Sequence, residues 1–153
     1  MVLYFDGDVR RINHAMKVYS FAKTIGELED IGESKLLILE VAAVLHDIGI
    51  KESERKYNSS AGNYQEIEGP DVARDILKEF NLDKAFVDRV CYLIAHHHTY
   101  SQIDGLDYQI LIEADFIINI FEDSIAKEKV EIIKDKYFKT KTGIRFIESM
   151  YMK

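Results

Sequence analysis

The chain has 153 residues, 47% of them hydrophobic and 31% charged, which is enough apolar matter for one core and enough charge to solvate it, and which excludes extensive disorder. A formal net charge of −7 disfavours general nucleic-acid binding, which needs a basic field, but leaves room for a small anion held by a local basic patch. The single cysteine, Cys91, excludes an intramolecular disulfide and a thiolate cluster for zinc, and fits a cytoplasmic location.

The opening MVLYFDGDVRR carries acids ahead of its basic pair and no long apolar stretch, so it does not read as a signal peptide. Apolar residues then recur at three- and four-residue spacing almost throughout, the mark of helices. The spacing predicts helices over about 8–29, 34–48, 70–80, 83–98, 107–122 and 124–138, with a short one near 143–151. Gly32 and Gly49 act as stop signals, and Gly69-Pro70 reads as the opening of the third helix, since proline suits a first turn. The apolar stretches near 36–45 and 108–121 are interrupted by Glu40, and by Glu113 and Asp115, so no membrane span is expected. The intervening 50–69, IKESERKYNSSAGNYQEIEG, is polar and reads as a long irregular connection, either functional or a mobile surface loop. The expectation is an all-α, single compact bundle of six to seven helices filling 1–153, with a core over 8–122 and a C-terminal extension over 124–153. In that extension Tyr137, Phe138, Phe146, Ile147, Met150 and Tyr151 would dock on the same domain or, in a homo-oligomer, on a neighbouring subunit.

Four ionisable residues sit awkwardly in this pattern. His46 and Asp47 end the apolar run LLILEVAAVL; burying both without partners costs several kcal/mol. His14 shares a helix face with Val18, Phe21 and Ile25. Asp115 falls among Tyr108, Leu111, Ile112 and Ile118, where an unpaired carboxylate is rare, while Glu113 lies off that face and is expected to meet solvent. Each has a plain alternative, a core histidine bonded to a carbonyl or a carboxylate paired with an arginine. One divalent cation among His14, His46, Asp47 and Asp115 would satisfy all four, and mixed imidazole and carboxylate ligands suit Mn, Fe, Co, Ni or Zn. Such an ion lowers the pKa of a bound water toward neutrality. In the run His96-His97-His98, His97 continues the apolar face and is the best inward candidate, with His96 second.

The order His14, then His46-Asp47 in AAVLHDIG, then Asp115 in EADFI resembles the H…HD…D pattern of the HD superfamily of metal-dependent phosphohydrolases, over roughly 10–122. The resemblance implies a helical domain that cleaves a phosphate ester in a nucleotide or similar small phosphorylated metabolite. Two-metal relatives carry a histidine where this chain has Gln65, so one ion per chain is expected, with His97, Gln65 and Glu68 orienting water or substrate or completing a weaker second site. Asp47 would hold the metal and accept a proton, with Glu68 as a second candidate base. Lys51, Arg55 and Lys56 would contact phosphate, or be ordinary solvated charge, and His96 or His97 would protonate the leaving oxygen. Two other readings stand beside this one: a metal- or nucleotide-binding regulatory module without turnover, and a di-iron oxygenase, which would need a second metal.

Overall fold

The computed structural model describes residues 1–153. It is all-α, as the periodicity predicts, but with more helices: α1 (Val2–Phe5), α2 (Val9–Leu28), α3 (Glu33–Leu45), α4 (Ile50–Tyr57), α5 (Gly62–Leu77), α6 (Lys84–Ile94), α7 (Leu106–Glu122), α8 (Lys127–Tyr137) and α9 (Lys141–Tyr151), with one 3₁₀ turn at Lys78–Phe80. The second helix begins where Asp8 caps it, its carboxylate accepting from the Arg11 amide at 3.1 Å. It packs along both α3 and α7, and α3 also meets α6. The seam is filled by Val18, Ala22 and Ile25 of α2, Leu39, Ala42 and Ala43 of α3, and Leu111, Ala114 and Ile118 of α7, all buried. The helices α2 and α7 carry His14 and Asp115, and the turn that ends α3 carries His46 and Asp47, so the packing that makes the core also aims the polar groups at one another.

Two expectations are corrected here. The segment 50–69 is not an irregular loop, because α4 and the first half of α5 lie within it, and Pro70 stands inside α5 rather than at its start. The inward face of α5 runs Gln65, Glu68, Gly69, Ala73 and Leu77. Its spacing is helical, but its first members are polar, so no apolar period announces it. Pro70 lacks the N–H for one helical bond. The helix is nonetheless pinned by close packing: a side chain at Gly49 would meet the Gln65 carbonyl at 2.6 Å and the Gly69 amide at 2.7 Å, and one at Gly69 would meet Ile94 at 2.6 Å.

The second correction is Glu113, which is fully buried. It accepts from Gln109 Nε2 at 2.7 Å, the Lys139 amide at 2.6 Å, the Thr140 amide at 2.9 Å and the Thr140 hydroxyl at 2.5 Å. It thereby ties the α8–α9 junction to α7. The C-terminal extension docks on its own chain: Phe138 and Ile147 are buried, and the Tyr151 hydroxyl donates to the Ile117 carbonyl at 2.7 Å. No helix is long and apolar enough to cross a membrane.

Candidate metal centre

The last residue of α3 is Leu45, and a tight turn over 46–49 carries the His-Asp pair into α4. At this helix end the two adjacent side chains can converge, which they could not do within one regular helix. His46 donates from Nδ1 to the Ala43 carbonyl at 2.8 Å. A carbonyl only accepts, so Nδ1 carries the proton and the neutral ring offers a lone pair at Nε2. His14 is fixed in the same tautomer by α7, where Glu122 Oε2 accepts from Nδ1 at 3.0 Å. Lys17, one turn on from His14, holds the other Glu122 oxygen at 2.8 Å.

The two Nε2 atoms face each other 3.2 Å apart. Asp115 Oδ1 lies 3.2 Å from His14 Nε2 and 3.6 Å from His46 Nε2, and Asp47 Oδ2 lies 3.6 Å from each. Four lone-pair atoms from three elements thus share one small volume. The only other protein donor to Asp115 is the Asn119 amide, at 2.9 Å. Such an arrangement repels itself unless a cation or protons sit within it, and separations of 3.2–3.6 Å match ligand atoms around one first-row ion at bonds of roughly 2.0–2.2 Å. The donor set therefore fits the divalent ion that the residues implied. The electrostatics agree. Burial disfavours a charged His46, but the Asp47 and Asp115 carboxylates outweigh it and raise its pKa to about 9. Against the same burial, contact with His46 and His97 holds Asp47 well below the usual carboxylate range, and contact with His14 and His46 does so for Asp115.

A second group adjoins the first. Asp47 turns its other oxygen, Oδ1, to His97 Nε2 at 3.4 Å, and Asp47, His97 and His98 together could hold a metal ion. The histidines sit in the turn that follows α6. That turn is clamped by Tyr108 of α7, whose hydroxyl donates to the His96 carbonyl at 2.6 Å, and by Glu66 of α5, which accepts from the His98 amide at 3.0 Å and the Thr99 hydroxyl at 3.0 Å. His97 donates from Nδ1 to the Ile94 carbonyl at 2.8 Å, leaving Nε2 bare. Nε2 of His97, Nε2 of His98 and Oε1 of Gln65 are buried and have no protein partner. Burial, reinforced by neighbouring His97, lowers the His98 pKa to about 4, which keeps the ring neutral and able to bind a cation.

A cavity of about 260 Å³ opens onto the first group. Its walls include His14, Asp47, Gln65, Glu122 and two arginines, Arg10 and Arg11. Arg11 is held by Glu54, with guanidinium contacts of 2.5 and 3.1 Å. The structure does not bring Lys51, Arg55 and Lys56 to this cavity. Lys51 donates to the Tyr4 carbonyl, Arg55 pairs with Glu52, and Lys56 pairs with Glu68. Glu68 also accepts from the Tyr57 hydroxyl at 2.9 Å and, with Lys56, lines a different groove. His96 donates from Nδ1 to the Tyr92 carbonyl at 2.7 Å and stacks on the Tyr92 ring, outside both ligand groups. Sequence reasoning did not single out Arg10, Arg11, His98 or Glu122. A helical wheel would place Arg11 one turn before His14, but nothing local announces Glu122, which lies 108 residues from the ring it holds.

Residues 11–135 match the family model of the HD domain. Among solved structures, the chain is similar to a predicted HD superfamily hydrolase from an uncultured Thermotogales bacterium, with 25% identity and a TM-score of 0.69, over 97% of this chain and 79% of that one. No curated protein matches it.

Proposed function

This chain belongs to the HD domain family, and from that premise we propose that it is a metal-dependent phosphohydrolase acting on a phosphate ester of a small, nucleotide-like metabolite in the cytoplasm. The observation that carries the reading is the gathering of His14, His46, Asp47 and Asp115 with no lysine or arginine paired to the two carboxylates. These four would hold the ion, which when bound supplies a nucleophilic water at neutral pH and polarises a phosphoryl oxygen.

The remaining work falls to side chains. Arg11 and Arg10 are the cavity's positive groups, and they would bind and orient the phosphate and offset charge developing on it. Glu54 holds Arg11 in a forked contact, so the guanidinium is oriented before substrate arrives. His97 Nε2 can hold a proton beside Asp47 and deliver it to the leaving oxygen. Glu122 fixes the His14 tautomer. The cavity of about 260 Å³ has room for a phosphoryl group and part of what it is attached to.

A second reading, with two ions, is favoured by the unpartnered Nε2 atoms of His97 and His98 beside Asp47 Oδ1. The experiment is a screen of phosphomonoesters, nucleotides and cyclic nucleotides with added Mn, Co or Ni, together with metal content per chain. Product formation abolished by chelator and by Asp47→Ala supports the hydrolase. Tight nucleotide binding without product under any metal would make the chain a sensor. Two irons per chain with oxygen consumption would make it an oxygenase.

A further inference from the structure

Two amides stand in the wall of the cavity beside the metal centre, and their partners fix which end each one presents. Gln65 Nε2 donates to the Ser60 carbonyl at 2.8 Å, and Asn119 Nδ2 donates to Asp115 Oδ1 at 2.9 Å. A carbonyl and a carboxylate only accept, so neither amide can be reversed, and the group each has left is an oxygen. Gln65 is 6% exposed, and its Oε1 is buried without a partner. A buried acceptor with no donor is rare in a folded chain, and here it belongs to a residue that lines a cavity. A further acceptor of the wall, Asp123, meets Arg10 only at 3.9 Å.

The same wall offers a ligand almost nothing flat or apolar. Of its 11 residues only Ile50 is hydrophobic, and none is a phenylalanine or a tyrosine. The aromatic pair that brackets Ser60 along the chain, Tyr57 and Tyr64, is stacked on itself with ring centroids 4.2 Å apart, and the Tyr57 hydroxyl is taken by Glu68 of the other groove. A nucleobase that relies on stacking finds no partner ring in this cavity.

We infer, resting on the hydrolase reading above, that the site takes phosphate esters of sugars or polyols, the ribose-phosphate end of a nucleotide among them, and that Gln65 selects them by accepting a hydrogen bond from a hydroxyl near the ester. The chemistry divides the ligand in two. A phosphoryl group at neutral pH presents acceptors, which suit Arg10 and Arg11 and cannot satisfy Gln65 Oε1. The donor must therefore come from the part attached to the phosphate, for which the cavity of about 260 Å³ has room. A hydroxyl supplies that donor without charge, whereas an ammonium would enter against the repulsion of two arginines and the metal ion. An analogue that lacks the hydroxyl strands the Gln65 acceptor and is rejected for that reason. The base goes unread.

The test is a substrate series on the wild-type chain loaded with Mn. Glycerol 1-phosphate and n-propyl phosphate differ by hydroxyls alone, and adenosine and uridine 5′-monophosphates differ by the base alone. The ratio of kcat/KM should favour the glycerol ester by at least about tenfold and separate the two nucleotides by less than about threefold. Gln65→Met, similar in length and without the acceptor, should cut the first ratio to about twofold by raising KM for glycerol 1-phosphate, with metal content per chain as in the wild type. Calorimetric binding of the two small esters to the Mn-loaded chain reads the same preference without turnover. Hydroxyl-dependent binding with no product from any ester supports this inference and overturns the hydrolase. Turnover without preference for the hydroxyl, or with a strong preference between the bases, overturns the inference and leaves the hydrolase standing; so does equal or absent binding of the two small esters. The wild-type series decides the matter even where the variant does not fold. If Gln65→Met removes bound metal and leaves the ratio unchanged, Oε1 serves an ion and the inference falls.

Discussion

Glu113 and Asp115 stand two residues apart on α7, both buried, and they meet the cost of burial in opposite ways. The chain saturates Glu113 with four donors from Gln109, Lys139 and Thr140, and Gly143 approaches so closely that a side chain there would collide with the carboxylate. Asp115 receives one amide and otherwise faces two imidazole nitrogens. The first is a finished structural joint with no room for a ligand. The second is left to be completed by a cation or by protons on the imidazoles. Burial of an acid therefore does not mark a site; a deficit of donors around it does.

The sharpest way to break this contrast is to remove each carboxylate. Asp115→Ala should abolish stoichiometric metal binding, read by calorimetry, and lower phosphatase turnover by at least about a thousandfold. If metal binding survives, the cluster is not the centre. Glu113→Ala should do the reverse. The Lys139 amide and the buried Thr140 amide lose their acceptor, so denaturant unfolding should show a loss of about 2–4 kcal/mol while the metal affinity of the folded protein is retained.

The pH response should separate them further. In metal-free protein the His46 pKa is raised to about 9 in the folded state, above its ordinary 6.5. The stability it contributes is present below pH 6.5 and is lost as pH rises through about 9. Thermal melts of chelated protein should therefore fall in midpoint across that interval, and saturating metal should remove the fall. A midpoint that does not change between pH 6.5 and 9 without metal would show that protons do not stand in for the cation.

Smaller effects test the supports around the centre. Glu122→Gln should weaken metal binding by about 10- to 100-fold without changing stoichiometry, since it loosens the orientation of His14 from the Nδ1 side, away from the Nε2 that faces the cluster. Arg11→Lys removes a forked contact and should raise KM by about tenfold with little change in kcat. Lys56→Ala, on the other groove, should leave both unchanged. Equal effects at Arg11 and Lys56 would mean that the phosphate does not approach through the arginine-lined cavity.

The sequence by itself determined the helical class, because apolar residues at three- and four-residue spacing admit no other regular structure, and it determined the identity of His14, His46, Asp47 and Asp115 as misplaced polar groups within that pattern. It did not reveal α4 or the first half of α5. The period of a helix is legible only when its inward face is oily, and Gln65 and Glu68 face inward because that side borders polar sites. It also sent Glu113 to solvent, since most of the donors that bury it come from 26 and 27 positions later, and it could not show that donors to Asp115 are largely missing. Only the tertiary structure decided which bases and acids meet. Hydrogen bonds and ion pairs act over a few ångströms in space, and the fold, not the spacing along the chain, brings Glu122 to His14, Arg11 to the cavity and Lys56 away from it.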